Sequence, residues 1–407
     1  MQIPRRSLLK GAAASVFGSV VAPMAGAASL GSDQFVTGQY EVCLNNARWH
    51  PMSKGAKQAV VNYLDYKERG IWAPSPGLNS AESVKVRQSF ATLIGAKPEE
   101  IAFVNSTTAA ENLIVASLGL QTPGKGNIVT DALHFEGSLY LYQELAKRGV
   151  DVRIVKPRGW EIDAKDFEAA VDKNTKLVAI SKISYINGFE HDLKAVCDLA
   201  HAHGAYVYAD AVQAAGCMPL DIQDSGVDFL ATASYKWLMG DFGLGFLYVR
   251  GEVLSKLQRV QWSFRQFNEF NYHAFPGDPV GPFPASYEQH NDAAGYFEVG
   301  TYANPVLAAL TYSLPYIQSL GVANIQKNAQ ALNARLRAEM PRLGYACITP
   351  EGARGPIIAF AVKDNAGTAA KLAAKKVDVG LSAGRMRVSP SVYNSQGDVD
   401  ALLEALS

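Results

Sequence analysis

Tyr208-Ala-Asp-Ala-Val-Gln213, followed by Ala233-Ser-Tyr-Lys-Trp237, is the stretch on which the fold turns. The apolar run from Ala205 to Ala209 reads as a buried strand, and Asp210 ends it. Gln213 follows three residues later. A second apolar run, Val227 to Ala231, leads to Lys236, which stands between Tyr235 and Trp237. A carboxylate and an amine therefore sit just past two consecutive strands. Open α/β sheets bind their ligands at that end.

Working outward, other polar groups fall at the same kind of place. Asn105-Ser-Thr-Thr-Ala-Ala-Glu-Asn112 follows the strand-like Ile101-Ala-Phe-Val104 and opens a helical pattern, Leu113 to Leu118. Hydroxyl residues and free N–H groups at a helix N-terminus suit a phosphate. His134 follows Ile128-Val-Thr130, and Ser184-Tyr-Ile-Asn-Gly188 follows the run from Leu177 to Ser181. Each feature alone has a plainer reading. An Asp-x-x-Gln is a turn or a cap, Ser-Thr-Thr is an N-cap, His134 is a core histidine, and Lys236 snorkels at an edge. Their shared order, each after a strand, points instead to one chemistry. A carboxylate for a ring N–H, an amine for a Schiff base and a phosphate cup together suit pyridoxal 5'-phosphate.

The pattern resembles the class V aminotransferase family of fold-type I pyridoxal phosphate enzymes, which includes cysteine desulfurases, kynureninases and isopenicillin N epimerases. The resemblance runs from about Tyr40 to the C-terminus. It implies an α/β fold, with a large domain built on a mostly parallel seven-stranded sheet and a smaller α+β C-terminal domain. It implies that Thr107 and Thr108 hold the phosphate and that His134 stacks on the ring. Asp210 meets the ring nitrogen, Gln213 the ring hydroxyl, and Lys236 forms the Schiff base. Tyr235 joins the phosphate site, as in the kynureninase-like Ser-Tyr-Lys variant. Thr301, in Phe297-Glu-Val-Gly-Thr301, is lent to the neighbouring subunit's phosphate site, which implies a homodimer. Arg387, in Met386-Arg-Val-Ser-Pro-Ser-Val-Tyr-Asn394, grips the substrate carboxylate.

The chain departs from the pattern in three places. Tyr185 replaces an Asn or His at the ring-hydroxyl contact. Ala233 replaces a Ser three residues before the Lys. The segment Lys376-Val-Asp-Val-Gly-Leu-Ser-Ala-Gly384, where desulfurases carry a nucleophilic Cys, has none. A desulfurase needs a thiolate near the substrate sulfur. The expectation drawn from the last departure is an enzyme acting at the α- or β-carbon of an amino-acid-like substrate, as a lyase or transaminase and not as a persulfide-forming cysteine desulfurase. Alternatives are an isopenicillin N epimerase-like racemase, a peptide-tailoring enzyme, and a catalytically silent binding protein that kept the fold.

The composition fits this. The 407 residues are 48% hydrophobic and 19% charged, enough for a large core and about two domains. Lys plus Arg equals Asp plus Glu at 38 each, with no basic run, which argues against nucleic acid as a partner. The four cysteines form no C-x-x-C pair, and no metal site is expected.

Arg5-Arg6-Ser7-Leu8-Leu9-Lys10, the small-residue stretch from Gly11 to Ala22 and Ala25-Gly26-Ala27 match a twin-arginine signal with a cleavage site. The stretch is short and rich in Gly and Ala, unlike a stable membrane anchor. The expectation is export by the twin-arginine machinery, to the periplasm or beyond. The predicted order is a signal peptide over 1–27, an N-terminal arm over 28–50, a large cofactor-binding domain over 51–305 and a small domain over 306–407. The arm carries Asn46 toward the substrate mouth. Gln261 to Gly295, rich in aromatics, Pro, Gly and His, reads as an irregular specificity loop with Tyr272, His273 and Arg265 as substrate contacts.

Overall fold

Seven short apolar runs, centred in the sequence on Phe103, Ile128, Ile154, Ala179, Val207, Leu230 and Leu247, become the seven strands of one sheet. The structure, a computed structural model, describes residues 30–36, 42–70, 81–273, 275–278, 283, 285–382 and 384–407. Tyr40, the Arg5-Arg6 pair and the rest of the expected signal lie outside the described residues.

In chain order, β1 (Val42–Cys43), α1 (Lys54–Glu68) and α2 (Ala81–Ile94) precede β2 (Ile101–Val104), α3 (Thr107–Ser117), β3 (Asn127–Asp131), α4 (Glu136–Lys147) and β4 (Asp151–Val155). Then come β5 (Thr175–Ser181), α5 (Leu193–Ala202), β6 (Tyr206–Asp210), α6 (Ile222–Ser225), β7 (Phe229–Ala233), β8 (Gly245–Val249) and α7 (Gly251–Leu254). The sheet order is β2-β8-β7-β6-β5-β3-β4. Only β8 runs against its neighbours, antiparallel to both β7 and β2. The reason is connection length. A parallel pair needs a crossover of about a dozen residues or more, usually a helix. Ser234 to Leu244 is too short and carries no helix, so the chain turns straight back.

Helices cover both faces, so the central strands are buried throughout and read as continuous apolar runs. Successive side chains alternate between two cores. Val207 and Ala209 pack with Val178, Leu230 and Phe246 on one face. Tyr208 packs with Leu177, Phe229 and Leu247 on the other, under Ile114 and Val115 of α3.

The rest of the chain forms β9 (Phe267–Tyr272), β10 (Ala285–Gln289), α8 (Ala293–Phe297), α9 (Asn304–Leu320), α10 (Val322–Glu339), β11 (Ile358–Ala361), α11 (Asn365–Ala374), β12 (Val377–Asp378), β13 (Gly380–Ser382), β14 (Arg385–Val388) and α12 (Gln396–Leu406). The helical pattern from Pro305 to Leu343 is divided at Gly321, which ends α9 with a φ of +76°. A third core joins Val42 and Leu44 of the N-terminal segment to Phe360, Met386, Val388 and Leu402. There β1 pairs with β12, and β11, β14 and β13 form an antiparallel sheet.

The segment read as irregular, 261–295, folds otherwise. β9 and β10 form an antiparallel hairpin, with Phe270 opposite Tyr287 and their rings 6.3 Å apart at 7°. Cross-strand aromatic pairing of this kind stabilises a hairpin. Among the described residues, no single helix is long and apolar enough to cross a membrane.

One glycine sets the geometry of the site. Gly216 has a φ of +95°, and a Cβ there would lie 2.5 Å from the carbonyl oxygen of Trp237. Only glycine lets the turn after Gln213 lie against the connection that carries Lys236.

Candidate active site

The carboxyl ends of β5, β6 and β7 and the N-terminus of α3 enclose one cavity. Thr107, Thr108, Tyr185, Asp210, Gln213, Tyr235 and Lys236 all line it. These are residues that the sequence placed at strand exits, and the parallel sheet delivers them to one edge.

Ser106 caps α3, its Oγ accepting from the N–H of Ala109 at 3.1 Å. The first-turn N–H groups of a helix have no intrahelical partner and suit an anion. Beside them the Oγ1 of Thr107 is buried and has no hydrogen-bond partner. Tyr235 stacks on Phe242 at 4.4 Å, which fixes its ring at the cavity edge.

Asp210 is buried and has no ion-pair partner within bonding distance among the described residues. Its Oδ1 accepts from the N–H of Val212 at 2.8 Å. Burial raises its pKa, against the opposing charges of His134 and Lys236. Lys236 is lowered to about 8, first by burial and then by the Arg387 charge, while Asp210 pulls it up. A substantial share of its amine is therefore neutral near physiological pH. Gln213 lines the cavity but is also tied to the frame: its Nε2 donates to the carbonyl of Ala47 at 3.0 Å, and its Oε1 accepts from Trp237 Nε1 at 2.9 Å.

His134 differs from its expected placement. It is fully buried beside Asp210 and is not among the side chains lining the cavity. Both ring nitrogens are bound, Nδ1 with Ser181 Oγ at 2.8 Å and Nε2 with Glu111 Oε1 at 3.1 Å. Glu111 went unnoticed in the sequence. Its carboxylate also accepts from Tyr142 OH at 2.6 Å and from Ser138 Oγ. Burial would raise Glu111, but the His134 charge and these donors outweigh it and hold the carboxyl below its usual range. Burial would likewise lower His134, but Glu111, Asp210 and Asp131 raise it. Each partner therefore favours the charged form of the other. The available signal was a Glu on the buried stripe of α3, one turn before Val115.

Arg387 donates from Nη1 to the carbonyl of Tyr185 at 3.1 Å, and its Nε is buried without a partner. Tyr185 donates its hydroxyl to Glu136 at 3.0 Å.

Other expected contacts fall elsewhere. Asn46 is fully buried. Its Nδ2 donates to Ser389 O at 2.9 Å and its Oδ1 accepts from Tyr393 OH at 2.7 Å. Its amide joins the N-terminal segment to the C-terminal unit and does not face the cavity. Tyr272 and His273 stand on the exposed hairpin, where His273 Nε2 meets Ser286 Oγ at 3.0 Å. Arg265 is bound to the carbonyl of Gly300 outside the cavity. Thr301 is exposed and outside the cavity of its own chain.

These residues fit pyridoxal phosphate. An orphaned hydroxyl and a helix N-terminus match its phosphate, a buried carboxylate without a counter-ion matches its ring nitrogen, and a depressed lysine matches its aldehyde. Comparison with known proteins agrees. The model of the family described as aminotransferase class-V matches residues 79–402. A protein of Bacillus subtilis named uncharacterized aminotransferase YcbU is 25% identical over 92% of this chain and 95% of its own. A cysteine desulfurase of Klebsiella pneumoniae is 30% identical over 73% of this chain and 72% of its own. In fold, the apo structure of a cysteine desulfurase from Thermococcus onnurineus superposes with a TM-score of 0.76 at 23% identity, over 89% of this chain and 93% of that one.

The expectation that the chain stands apart from persulfide-forming desulfurases is thereby overturned. It rested on the lack of a Cys in one segment, 376–384, whereas the likeness to named cysteine desulfurases spans most of the chain. A missing thiol in one loop says nothing about thiols that approach from elsewhere.

Two outcomes are expected from this geometry. In the cofactor-free protein, amine labelling at Lys236 rises with pH around a midpoint near 8. Asp210→Asn moves that midpoint down, because the carboxylate that holds the proton is gone; an unshifted lysine near 10.4 contradicts the reading. Glu111→Gln lowers the His134 midpoint, read by nitrogen NMR, and costs about 3–5 kcal/mol of stability in denaturant unfolding. A raised imidazole stabilises fully below its unfolded value, and a lowered carboxyl does so above its own. The cost is therefore greatest between about pH 4.3 and 6.5 and shrinks as pH rises through the folded His134 value. An unmoved His134 midpoint in the variant removes the charged pair.

Proposed function

This chain belongs to the class V aminotransferase family, and on that premise we propose that it breaks the carbon–sulfur bond of a cysteine-type amino acid and passes the sulfur to an acceptor thiol. With cysteine the balance is cysteine plus thiol giving alanine plus persulfide. The Cβ–S bond breaks, an S–S bond forms, and the acceptor's proton ends on the amino-acid product. The observation that carries the reading is one cavity holding Lys236 and Asp210, with Arg387 close enough to lower the lysine's pKa. The 30% identical Klebsiella relative, named a cysteine desulfurase, supports the choice of bond.

Pyridoxal phosphate, when bound, supplies the electron-withdrawing ring that makes bonds at Cα and Cβ breakable. The chain's residues do the rest. Thr107, the N-terminus of α3 and Tyr235 would hold the phosphate. Asp210 would keep the proton on the ring nitrogen, a cation its buried carboxylate favours. Lys236, lowered to about 8, serves as the amine that takes the Cα proton and returns it. Arg387 takes the substrate carboxylate through its fork, which fixes the Cα–H direction. Glu111 fixes the tilt and charge of His134 beside Asp210.

Two further readings belong here. The chain works as a homodimer, which the exposed Thr301, Trp262 and hairpin aromatics support. The Arg5-Arg6 pair directs it through the twin-arginine route to the periplasm or beyond.

Purified holoprotein given cysteine and a thiol is expected to yield alanine and persulfide in equal amounts, and Lys236→Ala neither. A keto acid without persulfide would establish amino transfer instead and sink the cleavage reading. Thiol labelling before and after turnover reads whether the persulfide resides on Cys43, on Cys347 or on the added thiol, and sedimentation of the same sample reads the dimer. Arg5→Lys with Arg6→Lys is expected to leave uncleaved protein in the cytoplasm; arrival of that variant in the periplasm contradicts the export reading.

A further inference from the structure

Arg385 and Arg387 are two residues apart on β14, so both side chains leave the same face of the strand. They meet the same residue. Arg387 bonds the carbonyl of Tyr185, and the guanidinium of Arg385 lies over the Tyr185 ring at 5.8 Å. Tyr185 lines the cavity that holds Lys236. Neither guanidinium has an ion-pair partner within bonding distance among the described residues, and the Nε of each is buried without a hydrogen-bond partner. Burial lowers Arg387 to about 10, followed by repulsion from Arg385 and then, past the opposing pull of Tyr185, from Arg48. Burial lowers Arg385 too, with Tyr185 and Glu136 pulling the other way. The one nearby carboxylate that these groups feel is Glu136, which is exposed and occupied by the Tyr185 hydroxyl.

Half-buried cations are ordinarily paired. Two unpaired guanidiniums side by side behind Tyr185, itself a wall of the cavity, repel each other, and the fold keeps both. A single carboxylate satisfies one fork. Along a strand, positions two apart are separated by about 6.6 Å, more than one carboxylate spans.

We propose that Arg385, backed by Tyr185, forms a second anion subsite that takes the distal carboxylate of the substrate. The preferred substrate class is then an amino acid whose side chain ends in an acid group, here a cysteine S-conjugate bearing a second carboxylate beyond the sulfur. Its Cβ–S bond breaks, an S–S bond forms to the acceptor thiol, and the acceptor's proton ends on alanine, leaving a mixed disulfide. The inference rests on Arg387 as the holder of the first carboxylate, as read above.

The test is binding of unreactive acids to the holoenzyme, followed by the absorbance of the bound cofactor. Succinate and glutarate are compared with butyrate and valerate, acids of matched length with one carboxylate. The diacids are expected to bind wild type at least about ten-fold tighter, the size of one charged hydrogen-bonded contact. In Arg385→Gln the ratio falls to near one. In Arg385→Lys, which keeps the charge without the fork, part of the ratio survives, so the result does not hang on one variant's folding. Glu136→Gln, which removes the competing carboxylate, increases the ratio. A ratio near one in wild type, or one unchanged in Arg385→Gln, overturns the subsite. Monocarboxylate binding that is unchanged in Arg387→Gln removes the premise and the subsite with it. Failure of carbon–sulfur cleavage alongside an intact diacid ratio sinks the proposed reaction alone.

Discussion

A buried carboxylate without a counter-ion of its own, Asp210, is the constraint around which this structure is arranged. Burying an unpaired charge costs several kcal/mol. Here one N–H bond from Val212 and the fields of His134 and Lys236 offset part of that cost. Both neighbours need holding in turn. Glu111 favours the charged form of His134, and the hydroxyls of Tyr142 and Ser138 favour the charged form of Glu111. Lys236 is half tamed by burial. The site is therefore one electrostatic unit whose buried carboxylate suits a cation, and the protonated ring nitrogen of pyridoxal phosphate is such a cation.

The sheet explains how these groups come together. Parallel strands all point their carboxyl ends to one edge, so residues far apart in sequence but each just past a strand become neighbours. Thr107 and Asp210 are such a case, brought to one cavity by β2 and β6. Lys236 arrives by a different device. It sits in the short return from β7 to β8, where the chain turns straight back into an antiparallel neighbour. A tight return places its backbone with little freedom, and Gly216 lets the Gln213 turn brace it from beneath.

Much of this was legible in the sequence, for a physical reason. Strands buried on both faces read as apolar runs, and most of the seven announced themselves so; β4, at the sheet edge, is only partly buried and carries Asp151 and Arg153. Thr107, Asp210 and Lys236 follow such runs in the sequence, and the structure brings them to one cavity together with Tyr235. What local reading missed depends on distant contacts. Asn46 looked free for a ligand, but its partner Ser389 lies 343 residues on. Glu111 was passed over because its partner His134 lies 23 residues on. The aromatic hairpin was hidden because irregular composition masked a two-residue alternation. Arg385 was passed over because Arg387 alone satisfied the family pattern.

The desulfurase expectation failed for a related reason. It inferred a reaction from one missing residue, although Lys236 and Asp210 line the cavity and Arg387 lies near enough to lower the lysine's pKa. A thiol acceptor has looser demands. It need only reach the departing sulfur as a thiolate, from any loop or from a second molecule. Among the four cysteines, burial pushes Cys197 up to about 12 and also raises Cys217 well above the usual thiol range, so neither supplies a thiolate near neutral pH. Cys43 is raised by burial too, though less enclosed, and it stands in the N-terminal segment paired against Asp378. An acceptor with a depressed pKa would leave less to chance, and a chain without one in the cavity favours taking its acceptor from solution. On the proposed reading, substrate choice then rests on Arg387 and Arg385 beside Tyr185 and not on a cysteine in a loop.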